Sequence, residues 1–151
     1  MTTELSGKTF VITGANTGIG KITATDLARH GARMILACRS LGKTQPVIDE
    51  IKRETGNDNI EFVALDLGDL ASVRTAAAEI IAKNLPLHGL INNAGLVARG
   101  QTKDGFELTF GTNHIGHYLF TRLLLDRLKQ AGTARIVNVS SNSHFRAKSI
   151  D

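Results

Sequence analysis

The segment Phe10 to Gly20 reads FVITGANTGIG: a short apolar run, a glycine-spaced turn and the opening of a helical pattern. This order commits the start of the chain to a strand–turn–helix unit. Gly14, Gly18 and Gly20 stand at G-x-x-x-G-x-G spacing. Without a Cβ at these places the backbone can turn tightly, approach a ligand closely and let the following helix pack on the strand. A helix opening near Gly18 presents the N–H groups of Gly18, Ile19 and Gly20 and a positive dipole end, a combination suited to phosphate oxygens. The unit reads as a cradle for a diphosphate. Asn16 and Thr17 lie in the turn itself, where the Thr17 hydroxyl either donates to the diphosphate or stabilises the loop.

The same alternation continues along the chain. Short β-branched runs at Thr9–Thr13, Arg33–Ala37, Ile60–Leu65, Gly89–Asn92 and Arg135–Ser140 read as five strands. Their continuous apolar character suits strands covered on both faces by helices. Helices are expected from Gly18 to His30, from Thr44 to Thr55, and from Asp69, as N-cap, to a stop before Pro86. A long fourth segment is expected over Gly105 to Ala131, with Gly111 and Gly116 either breaking it or packing it closely. Alternating strands and helices give an α/β fold, a doubly wound parallel sheet of the Rossmann type. Its strand order reverses between the first and fourth strands, which places a ligand crevice there. No repeat or linker divides residues 1–151, so a single nucleotide-binding domain is expected.

Bulk properties narrow the class. The net charge of +4 is small and its 18 Lys and Arg residues are spread along the chain, which argues against a nucleic-acid surface. The single cysteine, Cys38, excludes an internal disulfide and fits a reducing compartment, with Cys38 as a small buried side chain. The N-terminal MTTELSGKTF lacks an apolar signal core, and no stretch is long enough to span a membrane, so a cytoplasmic location without membrane attachment is expected. His114 and His117 lie three residues apart, but no third ligand accompanies them and no metal site is expected. The serines at 140 and 141 sit in no Gly-x-Ser-x-Gly elbow, which speaks against a serine hydrolase.

Four strings in order, TGANTGIG, LINNAG at Leu90–Gly95, TNHIGHYLF around Asn113, and IVNVSS at Ile136–Ser141, resemble the short-chain dehydrogenase/reductase family from about Ser6 to Ser141. ACRS at Ala37–Ser40 and the TNHIGHYLFT run resemble its retinol-dehydrogenase-like, NADP-preferring members. The resemblance implies hydride transfer between a nicotinamide and the carbon of a small-molecule alcohol or carbonyl. It also implies that Asp66 holds the adenine amino group with the backbone of Leu67 assisting. Asn92 would tie the central strands together, and Ala94 and Gly95 would let the backbone reach the cofactor ribose. Ser141 resembles the donor to the substrate oxygen, and Asn113 the helix asparagine that supports a water relay. Relatives often pair through the helix corresponding to Gly105–Ala131, which points to a homodimer.

Cofactor choice is read at the end of the second strand. NAD enzymes place an acid there to bind the ribose hydroxyls, whereas this chain has Cys38 followed by Arg39 and Ser40. Arg39 offers two donors and a permanent charge to a 2′-phosphate, and Ser40 adds a hydroxyl, so NADP(H) is expected over NAD(H). The family's Tyr-x-x-x-Lys, which lies beyond the serine, is not among these 151 residues, whose one tyrosine, Tyr118, precedes Ser141 and has the wrong spacing. The expectation is the cofactor-binding portion of an NADP(H)-dependent oxidoreductase, inactive by itself. The alternative is an inactive NADP(H)-sensing or regulatory binding module.

Overall fold

The computed structural model describes residues 4–146, without the side chains of His144 and Arg146; Met1–Thr3, part of the stretch read for a signal core, lie outside it. Five parallel strands form one sheet in the order β3-β2-β1-β4-β5. They are β1 (Thr9–Thr13), β2 (Arg33–Cys38), β3 (Ile60–Ala64), β4 (Gly89–Asn92) and β5 (Arg135–Asn138). The helices are α1 (Gly18–Arg29), α2 (Leu41–Thr55), α3 (Leu70–Ala82), the single turn α4 (Leu108–Phe110) and α5 (His117–Gln130). A π-helical segment, Gly111–Gly116, joins the last two. This is the doubly wound arrangement expected, with β1 at the switch point between β2 and β4.

Apolar runs in the strands split their side chains between two layers because successive residues point to opposite faces. Val11, Ile35, Val63 and Leu90 pack with Val73, Ile80, Phe120 and Leu124 of α3 and α5. Their neighbours Ile12, Met34, Leu36 and Ile91 pack on the other face with Ala24 and Ala28 of α1 and Ile48 and Ile51 of α2. The register Val11↔Ile35 and Val11↔Leu90 aligns equivalent layers across three strands.

Three expectations are corrected. Helix α2 begins at Leu41 rather than Thr44, because the Ser40 side chain accepts from Lys43 N–H and starts the helix upstream of Pro46. The fourth segment is not one helix from Gly105: Gly105 has φ +85°, Glu107 caps the turn that follows, and the π segment interrupts the ladder. There Gly111 and Gly116 do pack closely. A Cβ on Gly116 would lie 2.4 Å from the Leu67 carbonyl oxygen, and one on Gly111 2.4 Å from Thr102 Cγ2. Strand β5 ends at Asn138 rather than Ser140, and all four of its residues are exposed, not covered on both faces. It forms the sheet margin and pairs only with β4 among the described residues. Smaller shifts extend β2 to Cys38 and shorten β3 to Ala64 and α1 to Arg29.

Candidate functional site

Two cavities open along the carboxyl ends of the strands and share the segment Asn93–Leu96 as a common wall. The first, of about 650 Å³, lies between the β1–α1 turn and the ends of β2 and β3, and its volume is of the size that holds a small organic ligand. Gly14 (φ +65°) permits the turn, and a Cβ there would lie 2.8 Å from the Cα and Cβ of Ala94. Gly18 (φ +55°) has open space around it instead, and only its left-handed backbone favours glycine there.

The N-terminus of α1 differs from those of α2, α3 and α4. Ser40 caps α2, Asp69 caps α3 through Ala71 and Ser72 N–H, and Glu107 caps α4. Thr17, at the head of α1, makes no side-chain cap, and no acid occupies the first turn. The donors at that end are left for an anion, and the dipole favours one. Arg39, Ser40 and Lys43 line the same cavity, which carries no carboxylate. Among the described residues neither Arg39 nor Lys43 is ion-paired. Cys38 stands where an acid would bind ribose hydroxyls; burial pushes its thiol upward, and its Sγ accepts from Ala15 N–H at 3.3 Å.

The wall between the cavities is fixed from both sides. Asn93 N–H and Ala94 N–H both donate to Thr13 Oγ1, at 3.0 and 2.9 Å. Asn93 Nδ2 donates to the carbonyls of Thr13 and Gly14 and binds β4 to β1. Asn113, in the π segment, clamps Leu96: its Oδ1 accepts from Leu96 N–H at 2.9 Å, and its Nδ2 donates to Leu96 O at 2.7 Å. The second cavity, of about 840 Å³, is lined by Asn92, Asn113, His117, Tyr118, Asn138 and Ser141 among others. Ser141 Oγ is 3.0 Å from Ser143 Oγ and accepts from Ser143 N–H at 3.1 Å.

Residues 8–149 match the short chain dehydrogenase family. The chain belongs to that family. It is 50% identical over 145 residues to retinol dehydrogenase 11 of Homo sapiens, an alignment covering 95% of this chain and 46% of that protein. It is 47% identical over 145 residues to dehydrogenase/reductase SDR family member 13 of Bos taurus, covering 96% and 38%. The short-chain dehydrogenase chain thus spans less than half the length of these curated relatives. Among solved structures, 3-ketoacyl-(acyl-carrier-protein) reductase from Brucella melitensis, complexed with NADH, superimposes with a TM-score of 0.77 at 31% identity, covering 94% of this chain and 60% of that one.

In this short-chain dehydrogenase the first cavity gathers Gly14, Asn16, Thr17, Ile19, Gly20, Arg39, Ser40, Leu67, Ala94 and Gly95 of the residues singled out from sequence. Asn92 and the pair Asn113 and Ser141 line the second, which Ala94 and Gly95 also border. Gly18 and Asp66 line neither. Asp66 Oδ1 accepts from Gly68 N–H at 2.9 Å, so its carboxylate holds the β3–α3 turn beside the cavity. Asn92 Nδ2 donates to Thr121 Oγ1 and to Asn138 Oδ1, tying β4 to α5 and β5. The link from β4 to β1 belongs to Asn93 instead, the second asparagine of the same pair. Thr13, Asn93, Lys43 and His117 were not singled out for the site from sequence. Lys43 fell just outside the helix expected from Thr44, and only the start of α2 at Leu41 brings it to the site.

His114 and His117 do not converge. His114 stacks on Phe110 at 5.1 Å between ring centroids, whereas His117 Nε2 is 2.8 Å from Thr13 Oγ1. Among the described residues no three His, Cys, Asp or Glu side chains are grouped as metal ligands. No helix among them is long and apolar enough to cross a membrane.

Proposed function

We propose that the first cavity binds NADP(H) in preference to NAD(H), and that the protein interconverts an alcohol and a carbonyl by hydride transfer. One observation carries the cofactor reading: Arg39 and Lys43, neither ion-paired among the described residues, line the same carboxylate-free cavity as the uncapped head of α1. The residues fit the group. Gly20, at the first turn of α1, lines the cavity, and a Cβ there would lie 2.5 Å from Asn93 Nδ2 and from the Gly14 carbonyl oxygen, so the turn stays close-packed beside the first-turn N–H groups. Arg39 supplies a planar fork of donors for a 2′-phosphate, and Lys43 a second positive charge. The backbone of Ala94 and Gly95 would hold the ribose, and Asp66 with the backbone of Leu67 would hold the adenine amino group. When bound, the nicotinamide supplies or accepts the hydride.

On the other side of the shared wall, Ser141 Oγ donates to the oxygen of the small-molecule substrate, and Asn113 holds the Leu96 backbone while bordering the same cavity. Moving the hydroxyl proton is the task of the family's Tyr-x-x-x-Lys, which these 151 residues do not contain. The chain by itself therefore binds cofactor without turning over a carbonyl.

Fluorescence titration of the purified chain with NADPH and NADH tests the reading. NADPH is expected to bind at least about tenfold more tightly, the scale of one charge-assisted hydrogen bond. Arg39→Ala should remove most of that ratio while leaving NADH binding nearly unchanged. Equal affinities in the unaltered chain would contradict it.

A further inference from the structure

We propose that His117 is a positioning residue that sets, through Thr13 and Asn113, the backbone of Asn93–Leu96 against which the cofactor lies. The proposal rests on the reading of the first cavity as a nicotinamide-dinucleotide site. Its geometric basis is a closed set of hydrogen bonds. A threonine hydroxyl has one hydrogen and two lone pairs. Both lone pairs of Thr13 Oγ1 are taken by Asn93 N–H and Ala94 N–H. Its hydrogen therefore points at the third neighbour, His117 Nε2 at 2.8 Å, and Nε2 must accept. The other ring nitrogen, Nδ1, is 2.9 Å from the Asn113 carbonyl, which can only accept, so Nδ1 carries the proton. One tautomer of a neutral imidazole satisfies every member of the set.

His117 thereby joins the two clamps on the shared wall. Thr13 fixes its beginning, at Asn93 and Ala94; Asn113 fixes its end, at Leu96. Both clamps lean on one ring, which is 6% exposed at the head of α5. Adding a proton would turn Nε2–H toward an oxygen with no lone pair to offer. The fold also resists that charge: burial holds the imidazole below its ordinary range, and His114 acts in the same direction. The Asn113 carbonyl bonded to Nδ1 offsets part of this, but burial outweighs it. Its own helical segment brings His114 and Tyr118; β1, β4 and β5 bring Thr13, Asn92, Asn93 and Asn138, which are uncharged. The β3–α3 turn packed on Gly116 carries Asp66 and Asp69, whose carboxylates are engaged by Gly68 N–H and by the head of α3.

The test compares the unaltered chain with His117→Gln, which keeps an acceptor for Thr13 and cannot titrate, and with His117→Ala, which has neither property. NADPH dissociation constants are measured from pH 8 to pH 5, and the ratio to His117→Gln cancels the titration of the ligand's own phosphate. At pH 8 His117→Gln should bind within about threefold of the unaltered chain, and His117→Ala about tenfold more weakly, the scale of a lost buried hydrogen bond. Toward pH 5 the unaltered chain should lose affinity relative to His117→Gln as the ring begins to charge. Parallel pH profiles would overturn the proposal even if His117→Ala fails to fold. Amide NMR shifts without ligand separate this from the cofactor reading. If His117→Gln on lowering the pH holds the Asn93, Ala94 and Leu96 signals that move in the unaltered chain, positioning stands even where NADPH does not bind. If those signals move alike in both, it falls while the cofactor reading is untouched.

Discussion

Strands β1 and β5 both carry apolar, β-branched runs and both deliver a candidate site segment at their carboxyl ends, yet they live in different surroundings. β1 is paired on both sides, and Val11, Ile12 and Thr13 are wholly buried. β5 lies at the sheet margin with every residue exposed. Residue type therefore does not decide burial; position in the sheet and the elements packed on it do. The start of the cradle is fixed by close contacts, Gly14 against Ala94 and Gly20 against Asn93, while Thr17–Ile19 stay exposed. The serines beyond β5 are held by short-range bonds such as that between Ser143 N–H and Ser141 Oγ.

This contrast ranks the effects of substitution. Gly14→Val forces a β-branched residue into φ +65° with its Cβ 2.8 Å from Ala94, and should cost more than about 3 kcal/mol or abolish the cooperative melt. A melt within 1 kcal/mol of the unaltered chain would erase the distinction between the two strand ends. Arg39→Ala comes next in consequence, with the cofactor ratio changing about tenfold while the melting temperature stays put.

The two helix heads sharpen the comparison further. Asp69→Ala removes a cap bonded to Ala71 and Ser72 N–H and should cost about 1 kcal/mol in urea melts. Thr17→Ala removes no cap bond, so its effect should fall on NADPH affinity rather than on stability. Equal stability losses from the two would show that α1 is capped like its neighbours. The smallest effect belongs to β5 and its exit: Val137→Thr, at an exposed position, should stay within about 0.5 kcal/mol. Ser141→Ala should leave NADPH affinity unchanged.

Solution pH adds a test of the inner wall. Burial depresses the His117 ring below the ordinary 6.5, so the unfolded chain takes up the proton that the fold refuses. Stability relative to His117→Gln should be constant above about pH 7 and fall as pH drops through 6.5 toward the folded value. Urea midpoints across this range check it, and a rise toward acid would contradict the neutral ring.

Local patterns explain why most of the fold was legible in the sequence. Thr9–Thr13 and Gly89–Asn92 were bounded correctly because apolar runs meet turn residues at both ends. Asp69 was identifiable as a cap because it directly precedes a helical apolar pattern. The π segment was not, since its i→i+5 hydrogen bonds extend over only six residues and leave no side-chain period of their own. The exposure of β5 depends on what packs beside it, which its own residues do not encode. Thr13 and His117 were overlooked because their bond spans 104 positions and leaves no local spacing. Asn93 was overlooked because its partners lie across the sheet, on β1 and in the turn after it.

The most direct test of the central claim is an amide NMR titration of the chain with NADPH. The account predicts perturbations concentrated at Gly14–Gly20, Arg39–Lys43 and Ala94–Leu96, with Asp69–Ser72 at the capped head of α3 unmoved. Saturating NADPH that leaves Gly18, Ile19 and Gly20 in place, or shifts the α3 head instead, would contradict it.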